Sequence, residues 1–155
     1  MKQLILALAV LATIAAKADG TAFFTNVTNL WYQGHKSNVL AIAEERLARN
    51  TNDIAGLILK MEYDLEFLDL VAVSNSCLRT IACGKEIQSP CYSARYPEFK
   101  TDMEDILDII AHYPSDQLSS DRGKAHLPGK KLFFEDDLLA VCLDGLVTNY
   151  PSITP

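Results

Sequence analysis

The sequence predicts an all-α fold, in which antiparallel helical hairpins stack into a short solenoid closed by a C-terminal helical cap. Three observations carry that prediction. Apolar residues recur at intervals of three and four through most of the chain, the pattern of helices with one buried face. The helical runs are separated by Gly34, "NTND" at 50–53, Gly84, Tyr113-Pro114 and Pro151, residues that end helices or make turns. No segment reads as a strand: "DLEFLDLVAV" alternates locally, yet the helical period runs into it from Ile54 without a Gly or Pro to start a strand.

The elements follow in order. "MKQLILALAVLATIAAKADG" has a basic start at Lys2, an apolar run from Leu4 to Ala16 and small residues at Ala16 and Ala18, the features of a secretory signal peptide over 1–18 cleaved after Ala18. The run is short of the ~20 apolar residues a membrane span needs, and no cysteine follows closely enough for a lipid anchor. The expected location is therefore secreted or periplasmic. Cleavage leaves 137 of the 155 residues, one helical domain over 19–150. It also removes Lys2 and Lys17, so 12 basic residues face 20 acidic ones, a formal charge of −8. That balance disfavours nucleic acid and anionic membranes and favours basic partners.

Val39, Leu40, Ala43 and Leu47 give a helix with Ser37 as N-cap and a Glu45–Arg49 surface ion pair. Ile54, Leu57, Ile58, Met61, Leu65 and Leu68 give the next, and a third covers about Val71 to Cys83. "GKEIQSPCYSARYP", with two prolines, reads as a loop. After it Met103, Ile106, Leu107 and Ile110 give a helix opened by a Thr101/Glu104 capping box. Residues 115–131 read as a long polar loop. A last helix is expected from about Phe133 to Asn149, with Leu138, Leu139, Cys142, Leu146 and Tyr150 inward and Glu135, Asp136 and Asp137 at its N-terminal end.

Four cysteines, Cys77, Cys83, Cys91 and Cys142, remain after cleavage, and an even number in an exported chain makes them disulfide candidates with three possible pairings. Cys83 and Cys91 flank a turn-forming segment. Free buried thiols are the alternative. No metal site is expected, because there is no C-x-x-C and His35, His112 and His126 stand far apart. No cofactor is expected either. "GKAHLPGKK" lacks the glycine spacing and the hydroxyl of a phosphate loop, and neither G-x-S-x-G nor H-E-x-x-H occurs. Asp102, Glu104, Asp105 and Asp108 lie on a helix without the glycine of a Ca²⁺ loop. A catalytic reading would rest on Cys91 as nucleophile with His112 as base, and an exported compartment suits a disulfide at Cys91 better. Asn26-Val27-Thr28 matches a glycosylation sequon but falls inside a predicted helix.

Shifting the chain on itself by 34 residues superposes Phe23 on Leu57, Phe24 on Ile58, Val27 on Met61 and Trp31 on Leu65. Beyond the turn it places Gly34 on Leu68, Val39 on Val73, Ala43 on Cys77 and Leu47 on Ile81, with Leu30 against Asp64 the clear mismatch. In these positions residues 20–87 resemble two tetratricopeptide-type repeats. Phe23, Val27 and Leu30 stand where the family has its Trp, Gly and aromatic, and "NTND" stands for its "DPNN" linker. The departures are Arg46 and Thr80 for a small Ala, Thr51 and Lys85 for Pro, and Leu68 for the turn Gly. After residue 87 the period is lost, leaving a divergent third hairpin or a cap.

The resemblance implies a non-catalytic module that binds a protein or peptide in a groove lined by the first helix of each repeat. By position those residues are Phe24, Thr28, Trp31 and Tyr32, then Ile58, Glu62, Leu65 and Glu66. The family's carboxylate-clamping residues have no match, and Glu62 and Glu66 imply an acidic rim that prefers a basic or amphipathic segment. Trp31 and Tyr32 fit hairpin packing equally well. Two alternatives stand beside this reading: a small secreted effector or inhibitor acting through the 115–131 loop, and a small hydrolase. An incomplete stack would also leave an apolar face suited to a homodimer.

Overall fold

The computed structural model describes residues 22–87, 90–112 and 133–135. The expected leader, the 115–131 loop, Cys142 and the body of the expected last helix lie outside the described residues. Five helices run in order: α1 (22–32), α2 (Lys36–Arg49), α3 (Ile54–Glu66), α4 (Leu70–Gly84) and α5 (Pro90–His112), followed by a 3₁₀ turn at Phe133–Glu135. The described residues contain no strand. Neighbours in sequence are neighbours in space, with α2 packed on α3, α3 on α4 and α4 on α5, so the fold is an all-α stack of helical hairpins.

The 34-residue shift reappears in the backbone hydrogen bonds. α1 ends with Gln33 N–H donating to Asn29, Gly34 to Trp31 and His35 to Leu30; α3 ends with Phe67 to Tyr63, Leu68 to Leu65 and Asp69 to Asp64. Each donor and acceptor moves by the same 34 positions. The pattern is a Schellman cap, which needs a left-handed residue at its centre. Gly34 supplies it at φ 84°, and Leu68 adopts it at φ 59° despite its Cβ. Leu68 therefore departs from glycine in sequence while keeping the glycine conformation.

The core threads through all five helices, with Val27, Val39, Ala43, Leu57, Ile58, Met61, Val73 and Cys77 wholly buried. Arg46, where a small residue was expected, is buried and pairs with Asp53, its Nε and Nη2 donating to the two carboxylate oxygens at 2.7 Å each. Asp53 also caps α3 by accepting from Gly56 N–H at 2.7 Å. Asp69 does the same for α4 through Ala72 N–H. In α2 the expected Ser37 cap is corrected: the helix begins at Lys36, the N-cap position is His35, and no side chain caps it. The Glu45–Arg49 ion pair forms, at 2.5 Å on the surface.

The expected loop over 84–97 is also corrected, because α5 starts at Pro90 and passes through Pro97. Pro90 occupies the first helical position, where a missing N–H costs nothing. Pro97 is tolerated because aromatic packing fixes the helix around it. Tyr92 and Phe99 are buried, and the Tyr96 hydroxyl donates to the Ile81 carbonyl of α4 at 2.7 Å. Thr101 does not open a helix; its hydroxyl donates to the Pro97 carbonyl one turn earlier. The period also outlasts residue 87: Tyr92 and Phe99 stand 34 residues beyond Ile58 and Leu65, and all four are buried.

Among the described residues Cys77 and Cys83 are free thiols and are not bridged to one another. Cys77 faces α3, its Sγ 3.4 Å from Met61 Sδ. Burial, with Glu62 nearby, pushes its pKa up to about 12, so it packs as a neutral thiol. The side chains of Cys91 and Cys142 lie outside the described residues.

Candidate functional site

On one side of the stack, α1, α3 and α5 each present a side chain to the same short segment, the 133–135 turn. From α3, Glu62 Oε1 accepts the backbone N–H of Phe133 at 2.9 Å. From α1, Trp31 meets the Phe134 ring edge to face at 5.5 Å, and from α5, Phe99 meets Phe133 at 5.6 Å and 86°. The Tyr32 hydroxyl donates to the Glu135 carboxylate, which, more than the slight burial, holds the Tyr32 pKa above its ordinary value. Phe134 is fully buried by these contacts, whereas Tyr32 remains 70% exposed at the edge.

The eight residues expected to line a groove divide accordingly. Trp31, Tyr32 and Glu62 meet around the turn. Phe24, Ile58 and Leu65 are buried in the core, with Phe24 edge-on to Phe23 at 5.1 Å, while Thr28 is half-buried. The acidic rim is corrected. Glu62 is 2% exposed rather than on a rim, and Glu66 is engaged by Lys36 at 2.5 Å. Lys36 Nζ also lies 4.8 Å from the centre of the Trp31 ring, so a cation already borders the aromatic site.

Glu62 is the most perturbed group of the site. Burial raises its pKa from 4.5 to about 7; the Phe133 N–H lowers it, and the charges of Glu135 and Glu66 raise it again. No protein-family model, curated protein or solved structure matches the chain. The site therefore rests on its own geometry.

That geometry bears on the catalytic alternative. Cys91 and His112 stand on the same helix, α5, 21 positions apart, which is about 30 Å along its axis. They cannot act as nucleophile and base to one another. His112 Nδ1 instead lies 3.0 Å from Asp108 on an exposed turn. Among the described residues no group of three or more His, Cys, Asp or Glu side chains could hold a metal ion, and no helix is long and apolar enough to cross a membrane. A separate cleft of about 580 Å³ between α1 and α2 is lined by Asn26, Asn29, Gln33 and His35 and shares no residue with the turn site.

Four participants escaped the sequence reading: Phe99, Phe133, Phe134 and Glu135. Phe99 had a usable signal, since a second 34-residue step carries Trp31 through Leu65 to Phe99. Phe133 to Glu135 had none. Their apolar and acidic pattern suits the start of a helix, and their docking depends on a contact 71 positions away in the chain.

Proposed function

We propose that the mature chain is an exported, non-catalytic protein-interaction module that binds a protein or peptide segment on the face formed by α1, α3 and α5, in the manner of a tetratricopeptide-type groove. What supports this reading above all is that the face seats a peptide segment of the chain itself, by one main-chain hydrogen bond to Glu62 and two aromatic contacts. Main-chain bonding gives affinity without regard to sequence, and ring pockets select side chains. With Glu66 engaged by Lys36 and Glu62 buried, the preference moves from a basic segment toward an amphipathic one carrying aromatic residues.

Selection of displayed peptides on the intact chain tests the reading. Selected peptides are expected to compete with one another and to lose binding to a Tyr32→Ala, Glu66→Lys variant, whose exposed and half-exposed positions spare the core. Peptides indifferent to that variant and lost on deletion of 119–129 would transfer the function to the loop.

A further inference from the structure

We propose that this face selects segments in which two consecutive aromatic residues are followed by a carboxylate, and that Phe133–Glu135 occupies it as a displaceable ligand in cis. The inference rests on the peptide-binding reading above and names the ligand chemistry. Each part of the pattern has its own receptor. The first ring packs against Phe99 while its backbone N–H reaches Glu62, the second ring packs against Trp31, and the third residue's carboxylate accepts the Tyr32 hydroxyl. Glu62 accepts from the main chain, so it fixes the position of the segment and leaves selection to the rings. The carboxylate site is solvent-facing, because Tyr32 is largely exposed, so a segment supplied from outside can reach it.

Because Phe133–Glu135 is covalently part of the chain whose face it covers, it acts at an effective concentration in the ~mM range, and a partner that repeats the pattern with further contacts exceeds it. The cis segment then lowers the apparent affinity for any partner by the fraction of chains in which the face is open.

The probe is a labelled peptide of residues 131–137, KLFFEDD, titrated into the full mature chain and into a Phe133→Ala, Phe134→Ala variant checked for helicity and cooperative melting. The variant is expected to bind the peptide about tenfold more tightly than wild type or better, since its face is no longer held in cis. Replacing the peptide's glutamate with lysine should weaken binding, and Tyr32→Phe should remove that difference. Equal affinity for both chains, or unchanged binding of a peptide with both rings replaced by alanine, overturns the proposal. If KLFFEDD binds neither chain while display-selected peptides of another pattern still depend on Tyr32, the ligand chemistry falls and the peptide-binding face stands; if no peptide binds, both fall. Should the double variant fail to fold, a chain carrying a protease site within 119–129, folded and then cut, replaces it. Excess KLFFEDD must release the C-terminal fragment, and a fragment that stays bound overturns the displaceable role.

Discussion

Asp53 joins a cap to a buried ion pair, so its removal breaks both at once. Asp53→Ala leaves the Arg46 guanidinium buried without its bidentate partner and uncaps α3. A loss of about 3–5 kcal/mol is expected in chemical denaturation. Thr80, 34 residues beyond Arg46, is the contrasting case. Its buried hydroxyl has no hydrogen-bond partner among the described residues, so Thr80→Val should be neutral or stabilising by up to ~1 kcal/mol in the same assay. Glu62 gives a pH dependence. Its pKa rises from 4.5 to about 7 on folding, so the native chain holds more protons than the unfolded chain between those values. Its contribution is complete below about pH 4.5 and is lost as the pH climbs through 7, an effect on the order of 3 kcal/mol. Asp64, raised mainly by burial, acts in the same direction. Glu62→Gln keeps an acceptor for the Phe133 N–H and should flatten this part of the stability profile, which melts between pH 4 and 8 would read directly.

Among the elements, the two hairpin turns share one geometry with different residues at its centre. At Gly34 an added Cβ meets nothing within 4 Å, so Gly34→Ala isolates the cost of the left-handed backbone, about 1 kcal/mol. Leu68→Gly relieves the same strain in the second turn and should shift the melting temperature the opposite way. Gly56 tests helix approach rather than backbone freedom. Ala is the better helix former by about 1 kcal/mol, yet at this position its Cβ would lie 3.0 Å from Leu47 Cγ and 3.2 Å from the Ala43 carbonyl oxygen. The carbonyl belongs to α2 and cannot rotate away. Gly56→Ala should therefore destabilise by roughly 1–3 kcal/mol, and a rise in stability would show that α2 and α3 can separate at little cost.

Over the whole molecule, the stack and the turn that covers it are joined through Trp31, the chain's single tryptophan. Phe134 screens its ring from water. Phe134→Ala should shift Trp31 emission to the red while helicity by circular dichroism stays near that of wild type, because the helix-to-helix contacts do not pass through the turn. Loss of helicity together with the emission shift would make the turn a structural part of the core instead of its covering. The same emission reports occupancy of the face by added peptide.

The sequence by itself determined the helical class, the hairpin order and the 34-residue register, because each follows from local periodicity and turn residues. The register reappears in the Schellman caps at Gly34 and Leu68. Trp31, Tyr32 and Glu62 were legible as members of one face for the same reason, since helical spacing fixes which residues point together. The tertiary structure decided three things that local pattern cannot carry. It carries α5 through Pro97, where packing of Tyr92, Tyr96 and Phe99 outweighs a helix breaker. It buries Glu62 and pairs Glu66 with Lys36, so neither forms the acidic rim the spacing suggested. It seats Phe133–Glu135 against side chains more than thirty positions away, and no residue of that segment announces its partner. Periodicity records which side of a helix is apolar; what comes to cover that side is set by the path of the rest of the chain.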